Sequence, residues 1–318
     1  MRVLFFGTSG FAVPILHALI DSGRHEVLGV VTQPDRPSGR GLQLHQSPVK
    51  RAALERVPDL PILQPEKART REFREAVAAI GPDALVVAAF GQILSQRLLD
   101  LPRYGGINVH GSLLPRWRGA APMQYALMAG DAETGVTTML MDAGMDTGDM
   151  LLKAVLPISP SDTIETIEQK LSELGASLLI STLELLERGE CPREPQNPEL
   201  ATYSPSLPPD IGYLRWSKPA SDLVNLIRGV TPRPGAWVFH AGRKIKVWEA
   251  AAANIERPGA VPGEIAELKD GVAVCCGEGT ALTLVSVQPE GKARMPAADW
   301  ARGARIQLGA RFDPPSES

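Results

Sequence analysis

Asn108 and His110 stand two residues apart in the run Gly106-Ile107-Asn108-Val109-His110-Gly111-Ser112-Leu113-Leu114-Pro115-Arg116-Trp117-Arg118-Gly119. On a strand that spacing puts both side chains on one face, and the Gly and Pro that follow place the pair at the strand's end. A carboxamide there can donate a hydrogen bond to a developing oxyanion, and an imidazole can move a proton near neutral pH. Together they suit acyl transfer. A strand that simply ends in an Asn and a His is the plain alternative. Downstream, Asp142, Asp146 and Asp149 are interleaved with Gly144 and Gly148. Glycine inside a helix would cost roughly 1 kcal/mol at each position, so this reads as a tight acidic loop. One of its carboxylates could orient His110. Calcium binding is the other use of such a loop, but the D-x-D-x-D-G spacing and a distal Glu are missing.

Two further segments could meet an anion. Gly7-Thr8-Ser9-Gly10 joins a first strand to a helix, where backbone N–H groups can hold phosphate, yet it lacks both G-x-G-x-x-G and a G-K-[ST] ending. A structural turn accounts for it equally well. The stretch Thr32 to Gln43 is too long and too rich in Pro and Gly for a routine connection. Its Arg36 and Arg40 could grip a phosphate backbone or simply face solvent.

The elements that would position these residues follow from hydrophobic period. Strand-like runs at Val3 to Phe6, Val27 to Val31, Ala84 to Ala88 and Ile107 to Val109 alternate with helix-like Phe11 to Ile20 and Arg69 to Ala79. That alternation predicts an α/β fold around a mostly parallel sheet, whose carboxyl edge is where ligands sit. Gly135 to Met141 adds a strand, and Thr163 to Leu186 reads as a long closing helix with Asp162 as its cap. The proline density between Cys191 and Pro209 excludes regular helix and central strand, which marks a linker. Beyond it lie a short helix at Ala220 to Arg228 and strand runs at Ala236 to Phe239, Ile245 to Glu249, Gly271 to Cys275 and Ala281 to Val287. These predict a small β-barrel or sandwich.

With 33 basic and 36 acidic residues the net charge is −3, which by itself speaks against a dedicated nucleic-acid binder. The part from Leu207 onward is slightly basic and the part before it acidic. No apolar run approaches the roughly 20 residues of a membrane span, and no secretory signal is evident, so a cytoplasmic protein is expected. Cys191, Cys275 and Cys276 lack C-x-x-C spacing and are read as reduced fillers.

These segments together resemble the folate-dependent formyltransferase family, whose catalytic signature is N-x-H, then S-L-L-P and a downstream Asp. The resemblance implies that Asn108, His110 and Asp146 are catalytic, with Asp142 the competing match for the aspartate. It also implies that folate contacts Phe90, Gly91, Ile93 and Leu94, the run Ser112, Leu113, Leu114 and Pro115, and Asp142. The longer pattern Thr32-Gln33-Pro34-Asp35-Arg36-Pro37, Gly39-Arg40-Gly41 and Ser47-Pro48-Val49-Lys50 is similar to the branch that acts on methionyl-tRNA, where the loop meets the acceptor end through an arginine matching Arg40. The similarity continues through Trp216-Ser217-Lys218-Pro219, Pro234-Gly235-Ala236 and Gly291-Lys292-Ala293-Arg294-Met295.

What this implies is a Rossmann-like catalytic domain over residues 1–189, a Pro-rich linker over 190–206 and an OB-like tRNA-binding barrel over 207–318. The cosubstrate is then 10-formyltetrahydrofolate with no metal, and the partner initiator methionyl-tRNA, bound by a monomer. Arg36, Arg40, Arg243, Lys244, Lys246, Lys292 and Arg294 are the nominated tRNA contacts. Ser9-Gly10, Leu42-Gln43 and Ser204-Pro205-Ser206-Leu207 depart from the family pattern, in the last two cases by lacking lysines. Fewer basic residues imply less salt-sensitive tRNA binding.

Overall fold

The computed structural model describes residues 1–38, 43–255, 259 and 261–314. Its chain divides into two compact units, one of residues 1–122, 133–157 and 165–205, the other of 123–132, 158–164 and 206–318.

The first unit begins with β1 (Arg2–Gly7), α1 (Ala12–Asp21) and β2 (Glu26–Val31), followed by short β3 (Arg36–Ser38) and β4 (Gln43–His45). Next come α2 (Pro48–Arg56), β5 (Ile62–Leu63), α3 (Arg71–Ile80), β6 (Ala84–Ala88), α4 (Gln96–Leu99), β7 (Gly106–His110) and β8 (Arg118–Gly119). Then follow α5 (Pro122–Ala129), most of which groups with the second unit, β9 (Glu133–Leu140), β10 (Met150–Pro157), α6 (Ile164–Arg188) and β11 (Tyr203–Ser204). Because α6 starts at Ile164, Thr163 is the residue directly before it; the Asp162 carboxylate accepts the Ser159 N–H.

Seven strands form one sheet in the order β10-β9-β7-β6-β1-β2-β5. The five from β7 to β5 are parallel, and β9 and β10 are antiparallel. Strands β1, β6 and β7 are buried almost throughout, as continuous apolar runs in a sheet covered on both faces must be. From β1 the chain moves outward first to β2 and later, on the other side, to β6. That reversal opens a crevice between the carboxyl ends of β1 and β6, the place where such sheets take ligands. Thr8 and Phe90 meet there, the Thr8 hydroxyl donating to the Phe90 carbonyl at 2.8 Å. Phe90 is fixed from below by an edge-to-face contact with Phe6, 5.3 Å between ring centres.

The second unit holds α7 (Ala220–Val230), β12 (Ala236–His240), β13 (Arg243–Ala253), β14 (Ile265–Glu267), β15 (Val272–Cys275), β16 (Ala281–Pro289), β17 (Met295–Pro296) and α8 (Ala297–Gly303). Its strands form an antiparallel sheet in the order β12-β13-β16-β15-β14, with β17 on β16. The C-terminal stretch ties the two ends of that order together. Ile265 donates to Ala310 O at 2.8 Å and Phe312 to Gly263 O at 3.1 Å on the β14 side, while Asp313 donates to Phe239 O at 2.9 Å on β12. The sheet is thereby curled, and its edges are not left open for other chains. Buried residues Leu223, Ile227 and Val230 of α7, and Val238, Ile245, Val247, Leu282 and Leu284 of the sheet, fill the core.

Phe312 is the side chain that makes this closure stick, packed against Trp216 and Trp300 at ring-centre distances of 5.2 and 6.0 Å. Phe312→Ala is expected to destabilise this unit by about 3–5 kcal/mol, the usual cost of removing a buried phenyl ring. Urea titration followed by tryptophan fluorescence checks it; an unchanged midpoint would mean that the tail is not part of the cooperative fold.

Candidate active site

Strand alternation carries Asn108 and His110 to the same face at the end of β7, where they are only 9% and 5% exposed. The acidic loop between β9 and β10 comes back over them. Asp146, held in a left-handed backbone conformation at φ 53°, accepts a hydrogen bond from Asn108 Nδ2 at 3.3 Å and one from the Gly119 N–H at 2.9 Å. Its Oδ2 lies 3.7 Å from His110 Nδ1. The opposite ring nitrogen, Nε2, sits 3.0 Å from the Trp117 carbonyl, which can only accept, so the ring donates there. A carboxamide, an imidazole and a carboxylate are thus held within mutual reach and nearly out of water.

Asp142 is placed differently. Both its oxygens take the Thr147 hydroxyl, at 2.8 and 2.9 Å, and one also takes the Gly144 N–H, so it ties the acidic loop to itself. Among the described residues no cluster of His, Cys, Asp and Glu is arranged to hold a metal ion. At the Gly7 to Gly10 turn the N-terminus of α1 already has a carboxylate: Glu168 of α6 accepts the Phe11 N–H, and burial raises its pKa.

The remaining residues nominated for folate fall into two groups. Phe90, Leu94 and Leu114 are buried core, whereas Gly91 and Ile93 face outward, Ile93 with 78% of its surface exposed. Gly91 lies at φ 80°, and a Cβ there would come within 2.6 Å of Gln33 Nε2, so the turn after β6 needs glycine. Ser112 is buried, its hydroxyl donating to Arg116 O at 2.7 Å. Thr137 Oγ1 donates to Ser112 O and accepts the Leu114 N–H, which shapes the Ser112 to Pro115 bend. Leu113 and Pro115 are half-buried along it.

The long stretch after β2 is a hairpin at its base, Arg36 pairing with His45 and Pro37 with Leu44. Arg40 lies outside the described residues. Arg36 is exposed, 3.8 Å from Glu66. The Ser47-Pro48-Val49-Lys50 motif has a local cause: Ser47 caps α2 by accepting the Lys50 N–H, Pro48 starts the helix, and Lys50 Nζ reaches Asp35 at 2.6 Å and Gln64 at 2.8 Å.

In the second unit, the outward face of β12 and β13 carries cations over aromatic rings. Lys244 Nζ is 4.3 Å from the Trp237 ring centre and Lys246 Nζ 4.4 Å from that of Trp248, with the Arg294 guanidinium 5.1 Å from Trp248. Trp237, Lys244, Lys246, Gln288 and Gly291 line a hollow of about 240 Å³ there. Burial, then the charges of Arg233 and Lys244, push the Lys246 ammonium pKa down. Arg243 and Lys292 are exposed; the Lys292 carbonyl accepts from Gln288 Nε2 at 3.0 Å.

Sequence reading missed residues 194–204, taken as linker. Glu194 and Met150 exchange N–H···O bonds of 2.9 Å, Thr202 accepts from Trp117 and Arg118, and the Ser204 carbonyl accepts from Ala120. The Ser204 hydroxyl donates to Trp117 O, the carbonyl that also meets His110. Gly119 leaves room for this: at φ 122° a Cβ would lie 2.6 Å from Ser204 O. The only sequence sign was polar Gln196, Thr202 and Ser204 among the prolines.

An open α/β sheet with amide, imidazole and carboxylate converging at a strand's carboxyl end is an arrangement suited to acyl or formyl transfer. The comparisons with known proteins agree. The family described as Formyl transferase matches residues 1–183, and Formyl transferase, C-terminal domain matches 207–305. The chain is 46% identical to methionyl-tRNA formyltransferase of Symbiobacterium thermophilum over 99% of its length and 96% of that protein. It is also 46% identical to that of Bacillus licheniformis over 98% of each. Its fold resembles a Helicobacter canadensis N-formyltransferase crystallised with folinic acid and dTDP-3-aminofucose (TM-score 0.66, 16% identity, 91% of this chain and 99% of that one). HypX from Aquifex aeolicus in complex with tetrahydrofolic acid is similar too (TM-score 0.63, 18% identity, 97% of this chain), and the chain spans about half of that protein, 48%. The chain belongs to the formyl transferase family, in its methionyl-tRNA formyltransferase branch.

The Asp35–Lys50–Gln64 cluster generates a pH prediction. Hydrogen bonds from Lys50, then Gln64, hold the Asp35 carboxyl below the usual carboxylate range. A depressed folded pKa contributes stability that is present above the unfolded value and lost as pH falls through the folded one. The hairpin base is therefore expected to loosen only below about pH 4. Limited proteolysis by an acid protease should show cleavage within residues 33–45 rising below that pH in the wild type and independent of pH in Lys50→Met. Equal resistance of the wild type at pH 3 and pH 6 would contradict it.

Proposed function

We propose that the chain transfers the formyl group of 10-formyltetrahydrofolate to the free amino group of initiator methionyl-tRNA, giving N-formylmethionyl-tRNA for translation initiation, as a monomer in the cytoplasm. The observation that carries this reading is the meeting of Asn108, His110 and Asp146 at the end of β7, in a chain whose full-length relatives are named for that reaction. The folate supplies an activated formyl group. Its pterin is assigned to the crevice after β1 and β6, where exposed Ile93 and the glycine turn at Gly91 suit a flat ring, and Ser112 to Pro115 with Asp142 border the same edge.

Within that site Asn108 Nδ2 stabilises negative charge growing on the formyl oxygen, and His110 takes the proton that the attacking amine loses and gives it to the folate nitrogen as the bond from that nitrogen to the formyl carbon breaks. Asp146 orients both. Near-complete burial of Asn108 and His110 strengthens these interactions and keeps water from competing for the formyl group. The catalytic domain is taken as residues 1–189, followed by the segment 190–206 and a tRNA-binding domain over 207–318. Lys244, Lys246 and Arg294 over their tryptophans suit a ribose-phosphate strand, since rings stack bases while cations meet phosphates. Arg36, Arg40, Arg243 and Lys292 are assigned to the same partner.

Formyl transfer from 10-formyltetrahydrofolate is measured with methionyl-tRNA, an amino-sugar nucleotide and glycinamide ribonucleotide as parallel acceptors. Transfer to methionyl-tRNA alone is expected. Transfer only to another acceptor would discard the tRNA assignment and keep the site. Asn108→Ala and His110→Ala should each lower turnover by roughly 10² or more while leaving the fold intact; near-normal turnover in both would end the assignment of the centre.

A second prediction concerns the basic face. Lys244→Ala and Lys246→Ala should each weaken tRNA binding without changing turnover at saturating tRNA, and each should reduce the slope of log Kd against log salt by about 1. Unaltered slopes in both variants would move the tRNA elsewhere.

A further inference from the structure

Gln196 has every hydrogen-bonding position of its carboxamide in use. Nε2 donates to Asp146 O at 2.8 Å and to Gly148 O at 2.8 Å, and Oε1 accepts from Arg118 Nε at 3.0 Å and Nη2 at 2.8 Å. A primary amide has two N–H donors and an oxygen with two lone pairs, so the inventory closes. Turning the amide over would set its NH2 against a guanidinium and its oxygen against two carbonyls. Arg118 is only 4% exposed and needs an acceptor, which locks the amide in the one orientation that serves the loop. The two carbonyls Gln196 grips belong to the turn that carries Asp146 at φ 53°.

We propose that Gln196, oriented by Arg118, is a positioning residue that holds the Asp146 turn so that the carboxylate reaches Asn108, Gly119 and His110 together. The proposal rests on reading those three side chains as the reaction centre. Gln196 itself touches no reacting atom; it acts through the backbone of Asp146. The segment 194–204 is thereby part of the catalytic apparatus, anchored on one side to β10 by Glu194 and on the other to β8 by Thr202 and Ser204.

The test is Gln196→Glu, which keeps the shape and the partner Arg118 but turns a carboxylate oxygen toward two carbonyl oxygens. Turnover of methionyl-tRNA is expected to fall roughly 10- to 100-fold with KM for both substrates within about threefold, as for a misplaced group acting in the transition state. In an Asp146→Asn background the same change should cost less than about twofold, because the residue it positions is already altered. Gln196→Met, which removes the donors without adding charge, should show a smaller loss with the same lack of additivity, and serves if the Glu variant does not fold. A crystal structure of either variant should show the Asp146 carboxylate away from the Gly119 N–H. Unchanged turnover, full additivity with Asp146→Asn, or a carboxylate still in place would overturn the proposal. If the wild type formylates no acceptor, the functional reading fails by itself, and the crystallographic result still decides whether Gln196 sets the turn.

Discussion

The carboxylate of Asp146 is the point on which the first unit's architecture converges. A charge at the floor of a crevice, 18% exposed, is tolerable only if donors surround it. The donors come from parts of the chain far apart in sequence, the amide of Asn108 on β7 and the backbone of Gly119 on β8, and the ring of His110 lies alongside at 3.7 Å. Each of these groups then requires its own support. Gly119 is placed by the pairing of β8 with β11, and His110 by the Trp117 carbonyl at its far nitrogen. The acidic loop, closed on itself by Asp142 and Thr147, delivers Asp146 from the opposite direction. The centre is thus a product of sheet, loop and return segment together, and β7 alone would present two polar side chains with nothing to align them.

The sheet supplies rigidity to the neighbouring crevice in another way. Strands β1 and β6 carry no polar side chains in their interior, so their hold on each other is backbone pairing plus apolar cover. At their ends the chain changes character within two residues. Phe90 still belongs to the core, stacked edge-on against Phe6, while Gly91 and Ile93 leave it. Gln33 bonds to the carbonyls of both Phe90 and Gly91, and Gln92 is tied to Pro65 and Ala68, so an exposed turn is held by buried neighbours. An exposed apolar side chain on a fixed turn is suited to binding because little conformational freedom remains to be lost.

Hydrophobic period made four of the five parallel strands, the long helix and the antiparallel tail unit legible; the two-residue β5 was too short to show. A short continuous apolar run such as Val3 to Phe6 suits a strand covered on both faces, and alternation such as Ile245, Lys246, Val247 suits one covered on a single face. The Asn108 and His110 pairing was legible because side chains two apart on a strand share a face. Spacing along a loop does not say whether Asp142 or Asp146 turns inward, and the resemblance alone favoured Asp146; in the structure the Asp146 carboxylate meets Asn108 and Gly119 while Asp142 meets Thr147. Strand β10 went unread because its Met150-Leu151-Leu152 start runs into Lys153 and Ala154, without clean alternation. Segment 194–204 was read from its prolines, which correctly exclude α-helix, but they do not announce the 3-10 turn Pro198–Leu200, the short strand β11 or how backbone and side chains are used. The closing tail likewise depends on pairing between residues far apart, Phe239 with Asp313 and Glu264 with Arg311, which no local pattern announces.

The net charge of −3 bears on nucleic-acid binding less than it first suggests. At physiological ionic strength the field of an exposed charge decays over about 8 Å, so a phosphate on the basic face responds chiefly to the charges within that distance and hardly to the net charge as such. Those surroundings hold Lys244, Lys246 and Arg294, each lying against an indole ring on the outer side of the sheet, together with Glu290 at the hollow and Glu249, 3.5 Å from Arg294. The rings do more than offer stacking surfaces. By drawing the cations onto their faces they hold flexible side chains in place, so less side-chain entropy is lost when an anion arrives than for cations free in solvent. A few preplaced cations can then do what a larger number of unconstrained lysines does elsewhere, which reconciles an acidic chain, short of lysines in its loop and linker, with a polyanionic partner.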